Sequence, residues 1–224
     1  MSERVTLQRF SPHSGGDARH FGQLIKCYRD VFSGEPWNEW KKCRVCGLKW
    51  GLGQEEELRQ MGFTHCRQAV SDFWTEQEVR GDISKEVVQH TSCWLAVCDG
   101  NCDQVVGFCW GYPIEPEVLE GKIALSGVAA EIRKEFGNVP KISYHDEIGV
   151  AQDFRGRKIA KAMFSNFVSD MLIQDLDIGI VRTKTNPPTV AFSWFMKLGF
   201  KVIARYDDAD QRVILAASYK KIII

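Results

Sequence analysis

Residues 141–150 read KISYHDEIGV, and residues 151–171 read AQDFRGRKIAKAMFSNFVSDM. In the first stretch, Ile142, Tyr144 and Ile148 fall on one side of a period-two alternation, which predicts a strand. In the second, apolar residues recur at steps of three and four, which predicts one face of a helix. A polar, basic loop joins the two. Such a loop points backbone N–H groups at one place, so we expect an anion, usually a phosphate group, to bind there.

Two motifs in this region resemble those of a known superfamily. Residues 155–160, RGRKIA, are similar to the pyrophosphate loop of the GNAT superfamily of acyl-CoA-dependent N-acyltransferases, whose pattern is Gln/Arg-x-x-Gly-x-Gly/Ala. Lys158 stands where a glycine is usual. Residues 147–150, EIGV, resemble the strand end that precedes this loop in the family. Downstream, Asn186 followed by Ala191 and KLGF at 197–200 is similar to the second motif of the family.

The resemblance implies an α/β (α+β) fold with a mixed, mostly antiparallel central sheet, helices on both faces and a splayed parallel strand pair. It implies acetyl-CoA as cosubstrate. The backbone of the strand end would pair with pantetheine, the loop would hold the pyrophosphate, and an asparagine would bond the pantetheine arm. The implied cofactor-binding residues are Ile148, Gly149, Val150, Arg155, Gly156, Arg157, Lys158, Ile159, Ala160 and Asn186.

The same resemblance implies direct attack of a neutral amine on a thioester. Such a reaction needs a proton acceptor for the amine and stabilisation of the oxyanion. Glu147 matches a glutamate frequent in the family and is our candidate base, with Asp146, His145 or a water left open. Phe195 occupies the position of the tyrosine that protonates the leaving thiolate in many members, so the usual general acid is missing.

Residues 33–67 show no clean helical or strand period, so we expect a Cys-rich insertion at about 35–70. Cys43 and Cys46 form a Cys-x-x-Cys-Gly turn, and His65 and Cys66 follow at a distance typical of zinc ribbons. These four residues are candidate ligands of a structural zinc ion. Adjacent residues reach one metal less easily than spaced ones. Buried reduced thiols, a redox pair at 43 and 46, or chance spacing are the alternatives.

Composition sets the frame for these motifs. The chain has 224 residues, a formal net charge of +0, 44% hydrophobic residues and 8 cysteines. That length suits one domain, here 1–224, with an insertion. The charge balance gives no reason to expect a nucleic-acid surface, and no apolar run approaches the roughly 20 residues that cross a bilayer. Lacking a signal-like start, the protein is expected to be cytoplasmic. The oligomeric state is open, with a homodimer as one candidate.

Two classes of function follow. The first is an N-acetyltransferase that acts on a primary amine of a small molecule or a protein. The second is a non-catalytic acyl-CoA-binding or scaffold module, which the missing tyrosine and the insertion would suit. The remaining pattern predicts a helix over 70–89, one or two helices within 117–136, and a helix that begins near Pro187 and Pro188.

Overall fold

The computed structural model describes residues 4–13, 18–99, 104–207 and 211–222. The sequence also predicts a helix cap at 14–17, a hairpin turn at 99–103 that contains Cys102, and a turn at 207–210. Residues 14–17, 100–103 and 208–210 lie outside the described residues. The α-helices of the described residues are α1 Ala18–Ser33, α2 Glu55–Gln60, α3 Glu76–Glu86, α4 Pro116–Ile123, α5 Val128–Phe136, α6 Ile159–Ile173 and α7 Val190–Leu198. The strands of the large sheet are β1 Arg4–Arg9, β7 Ser92–Asp99, β8 Gln104–Ile114, β9 Ile142–Val150, β10 Ile178–Lys184, β11 Lys201–Arg205 and β12 Arg212–Ser218.

Residues 41–72, which include most of the predicted insertion, contribute five strands of two residues each. They are β2 Lys41–Lys42, β3 Lys49–Trp50, β4 Thr64–His65, β5 Gln68–Ala69 and β6 Ser71–Asp72. β3, β2 and β6 form a three-stranded sheet, and β4 and β5 form a hairpin. The predicted start of the helix at residue 70 was wrong, because residues 71–72 pair with β2 and the helix begins only at Glu76, capped by the Thr75 side chain.

The large sheet has the strand order β1-β7-β8-β9-β10-β12-β11. β9 and β10 are parallel and are joined by α6, whereas β10 and β11 both run antiparallel to β12. The parallel ladder covers only Ser143–Gly179, Tyr144–Ile180 and His145–Val181, although both strands continue further. The expected mixed sheet with a splayed parallel pair is therefore confirmed.

The chain divides into two compact units. The first comprises Met1–Val88, Leu95–Phe108 and Gly149–Ala160, and the second comprises Gln89–Trp94, Cys109–Ile148 and Lys161–Ile224.

In the first unit, α1 packs its apolar stripe against the sheet. Tyr28 and Phe32 place their rings 5.5 and 6.3 Å from that of Phe108. A Cβ at Gly149 would collide with Phe108 and Val31, so only glycine lets the end of β9 approach this cluster. The apolar stripe of α1 thus buries the strand end that precedes the basic loop.

In the second unit, helices cover both faces of the sheet. Tyr144, Ile180 and Ile214 pack on one face with residues of α4 and α5. On the other face, His145 lies among aromatic rings of α6 and α7. The helices expected within 117–136 are these two, α4 and α5. The predicted N-terminus at Pro187 was early, because Thr189 caps α7 with its hydroxyl accepting from the Phe192 N–H at 2.9 Å.

Candidate functional site

The basic loop of the first unit follows β9 without interruption. A short 3-10 turn at Gln152–Phe154 leads to Arg155, and α6 begins at Ile159. The side chain of Arg155 folds back to donate to the Val150 carbonyl at 3.1 Å, and Arg157 donates to the Asp153 carbonyl at 3.1 Å. The loop residues from 155 to 158 are exposed, whereas Ile159 is buried. The geometry is that of a strand, loop and helix N-terminus, which leaves amide N–H groups at the start of α6 for an anion.

Lys158, which replaces the glycine usual in the motif, has a left-handed backbone conformation. Its φ is 61°, and Gly156 has a φ of 78°, so both residues lie in the left-handed region. Glycine reaches that region without steric cost, and a lysine there is strained. Lys158 therefore has a backbone conformation that glycine adopts easily, although it is not a glycine. The sequence alone showed the substitution but not this outcome.

The candidate bases lie in the second unit, at the end of the parallel ladder. His145 is only 2% exposed, and its ring lies 4.9 Å from Phe167 and 5.2 Å from Phe164. Its Nε2 is 3.2 Å from the Cys109 thiol. Burial lowers the pKa of His145 to about 3, which keeps the imidazole neutral. An imidazole with so low a pKa is a weak base, and its enclosure in the core keeps it from a bound amine, so the structure argues against His145.

Asp146 is the first residue beyond the ladder, and the fold surrounds it with partners that the sequence did not indicate. Tyr112 of β8 donates its hydroxyl to the carboxylate at 2.7 Å, and the ammonium of Lys122 on α4 lies 3.0 Å away. The carboxylate side chain is 5% exposed. Tyr112 and Lys122 come from elements distant in sequence, so no local pattern could have revealed this network. Glu147, the next residue, is half-buried.

The second motif surrounds α7. Asn186 is exposed in the segment before the helix, and Gly199 ends the helix with a φ of 101°. Phe195 is 1% exposed and packs on Phe164, Phe200 and, at 5.8 Å, His145. The side chain at the position of the expected acid is thus part of the aromatic core.

The four predicted metal ligands converge in the first unit. The ligand atoms of Cys43, Cys46, His65 and Cys66 all lie within 4.8 Å of one another. His65 Nδ1 is 3.5 Å from the Cys46 sulfur and 3.3 Å from the Cys66 sulfur. A hydrogen bond from the Cys46 backbone, and next the contact with His65, lower the pKa of Cys43 to about 6. The contact with Cys46 raises the pKa of Cys66 to about 11.

The fold is that of the GNAT N-acetyltransferases. No protein-family model matches the sequence, and no curated protein matches it either. Among solved structures, the chain resembles Arabidopsis thaliana NAA60 in complex with acetyl-CoA, with 14% identity, a TM-score of 0.56, and 97% of this chain and 99% of that chain covered. It also resembles the polyamine N-acetyltransferase of Drosophila melanogaster, which forms N-acetylagmatine, with 13% identity, a TM-score of 0.57, and 96% and 100% covered. The PaiA N-acetyltransferase from Thermoplasma acidophilum, in complex with coenzyme A, matches with 13% identity, a TM-score of 0.53, and 98% and 100% covered.

Proposed function

We propose that this protein is an acetyl-CoA-dependent N-acetyltransferase that acts on a primary amine of a small molecule or a protein. The observation that carries the proposal is the left-handed conformation of Lys158, because glycine, which is usual at this position of the motif, adopts that conformation without steric cost. The fold supports the same conclusion. Two of the resembling structures hold acetyl-CoA or coenzyme A.

The proposed cofactor contacts follow the resemblance. Backbone groups of residues 148–150 would hold pantetheine as an added strand, N–H groups of residues 155–160 would hold the pyrophosphate, and Asn186 would bond the arm. The exposed side chains of Arg155 and Arg157 would add positive charge. Their bonds to loop carbonyls keep the two guanidinium groups at the loop.

Glu147 remains the proposed proton acceptor, acting directly or through a water. His145 is enclosed in the core, whereas Glu147 is half-buried and matches the glutamate that is frequent in the family. Without a tyrosine at 195, the thiolate would leave without protonation by that residue. A thiol pKa of about 8.5 makes thiolate a tolerable leaving group, so we expect a slow enzyme and not an inactive one.

The cofactor set that we propose includes one structural zinc ion in the insertion. Three sulfurs and one imidazole nitrogen would fill a tetrahedral shell and leave no open position for substrate. The metal would thus stabilise the fold and take no part in transfer. Within the described residues, no helix has the length and apolar character to cross a membrane. Cytoplasmic residence stays a prediction.

Charge reversal in the loop tests the cofactor site. Arg155→Glu should weaken acetyl-CoA binding by roughly 10- to 100-fold, because it replaces a charge-assisted contact with repulsion. Gly156→Pro should weaken it as well, because proline cannot adopt the φ of 78° observed there. Lys85→Glu, on the exposed face of α3, is the matched control and should bind normally. Equal affinity in all four proteins would refute the site.

The alternative is a non-catalytic acyl-CoA-binding module, which the phenylalanine at 195 favours. A panel of primary amines with labelled acetyl-CoA separates the two. Transfer to any amine supports the enzyme, whereas a raised melting temperature without any transfer supports the binding module.

A further inference from the structure

The predicted insertion buries few apolar side chains. Its buried cluster has three fully buried members, Cys43, Trp50 and Leu58, with Trp40, Phe63 and Val70 packed around them. Each of its strands has two residues, which is below the usual strand length. A segment with so little buried surface needs a crosslink or a metal to hold one conformation.

The hairpin β4–β5 carries two of the four residues that could bind such a metal. Thr64 pairs with Ala69 and His65 pairs with Gln68, so Cys66 and Arg67 form a two-residue turn. Their φ values are 50° and 63°, as in a type I′ turn, which normally uses Asn-Gly. Two non-glycine residues in the left-handed region are strained, and such strain persists only where surrounding interactions hold the backbone in place.

This turn also removes the difficulty posed by adjacent ligands. His65 ends the strand and Cys66 begins the turn, so the two side chains can face one point, and their ligand atoms are 3.3 Å apart. For Zn–S near 2.3 Å and Zn–N near 2.0 Å, a tetrahedral ion separates sulfur from nitrogen by about 3.5 Å. The observed separations of 3.3 and 3.5 Å from Nδ1 fit one ion.

The other two ligands, Cys43 and Cys46, also lie on a tight turn. The Gly47 N–H donates to the Cys43 carbonyl at 2.9 Å, and the Cys43 N–H donates to the Leu48 carbonyl at 2.8 Å. Gly47 has a φ of 77°, which closes the loop after Cys46. The two ligand pairs thus come from two tight turns, each too small to be stable alone.

We propose that one Zn²⁺, bound by Cys43 Sγ, Cys46 Sγ, His65 Nδ1 and Cys66 Sγ, makes residues 40–72 a metal-dependent folding unit that forms the outer wall of a cavity along α1. The cavity has a volume of about 440 Å³. Ile25, Arg29 and Ser33 line it on the α1 side, and Glu39, Trp40 and Leu52 belong to the opposite wall.

The link from the ion to that wall is direct. The two residues of β2, Lys41 and Lys42, join Trp40 directly to the ligand Cys43. The Trp40 N–H donates to the Trp50 carbonyl and its carbonyl accepts from the Phe73 N–H, both at 3.0 Å. Trp50 in turn sets its ring 5.4 Å from the His65 imidazole. Loss of the ion should therefore loosen the wall, while the second unit stays folded.

The test uses the full-length protein purified without chelator. Metal analysis should find about one zinc per chain, and exchange into Co²⁺ should give the visible absorption of a tetrahedral thiolate site. A strong chelator should raise amide hydrogen exchange at least tenfold in peptides from residues 40–72. Peptides from α6 and α7 should not change.

Variants separate ligation from general damage. Cys43→Ser should lose the zinc and reproduce the exchange pattern of the chelated protein. Arg67→Gly keeps all four ligands and suits the turn, and Cys98→Ser removes a thiol outside the cluster, so both should retain one zinc. If Cys43→Ser does not fold, the chelator experiment on the parent decides.

Several results would overturn the inference. They are zinc-free protein, a disulfide between Cys43 and Cys46 in the purified chain, visible absorption from iron, or unchanged exchange after zinc removal. None of these readouts depends on acetyl transfer, so failure here would remove zinc from the proposed cofactor set and leave the proposed acetyl transfer intact.

Discussion

Replacing Lys158 by glycine and by alanine separates the backbone of the basic loop from its charge. The parent residue has a φ of 61°, where a non-glycine residue costs roughly 1–2 kcal/mol. Glycine removes that cost but adds about 0.5–1 kcal/mol of unfolded-chain entropy. Lys158→Gly should therefore raise the free energy of unfolding by about 0–1.5 kcal/mol, which is up to about 6 °C in melting temperature for a chain of this size. Alanine keeps the strained conformation and should give no gain.

Both variants lose the same exposed cation, so the difference between them reports only the backbone. Acetyl-CoA affinity measured by calorimetry should be unchanged or higher for Lys158→Gly, because the loop conformation becomes easier to hold. Lys158→Ala should bind up to about fivefold more weakly, the range expected for one exposed charge. A loss of tenfold or more in a folded glycine variant would show that the lysine itself grips a phosphate. Alanine binding better than glycine would refute the need for the left-handed backbone.

Three further expectations follow from the packing and from the second motif. Gly149→Ala should lower the free energy of unfolding by about 1–3 kcal/mol, because its Cβ meets Phe108 and Val31; an unchanged denaturant midpoint would contradict this. His145 has a pKa near 3 in the folded protein and 6.5 in the unfolded chain, so the unfolded chain binds a proton first. The free energy of unfolding is therefore highest above pH 6.5 and decreases as the pH falls towards 3. Between pH 7.5 and 5 the decrease is about 2 kcal/mol, so denaturant titrations should show that the parent loses about 2 kcal/mol more than His145→Gln over this range. Equal losses in the two proteins would show that another group causes the loss of stability in acid. The last expectation comes from the motif and not from the packing, which places Phe195 in the aromatic core. Phe195→Tyr should raise turnover, by up to the 10²–10⁴-fold typical of general acids, with little change in the KM for acetyl-CoA; unchanged turnover in a folded variant would show that residue 195 does not reach the thiolate.

The sequence predicted most of the fold because the periods of the central strand and of α6 are unambiguous. It was less accurate where tertiary pairing overrides local pattern. Residues 71–72 join β2 as a strand, although the apolar spacing there favoured a helix. At the candidate site, the motifs located the loop and Asn186, but the left-handed Lys158 is a backbone property that residue types do not encode.

The partners of Asp146 illustrate a second limit. Tyr112 and Lys122 lie 34 and 24 positions upstream by residue number, and only the assembled sheet and α4 bring them to one carboxylate. The cluster of three cysteines and one histidine shows the reverse case. The spacing of Cys43, Cys46, His65 and Cys66 suggested a zinc site, and the apparent flaw of adjacent ligands disappears in a turn that sequence rules reserve for Asn-Gly.

The pairing of β9 with β10 ends at His145 and Val181, although both strands continue. The sheet therefore has unpaired main-chain groups at an opening between two central strands and not only along its edge strands. An opening of this kind offers main-chain groups to any extended segment, including one from another copy of the chain. A cofactor that lies along the opening would also protect the protein against self-association. Concentrated solutions should then stay clear for longer with acetyl-CoA than without it, and the ligand would serve storage and expression as well as chemistry.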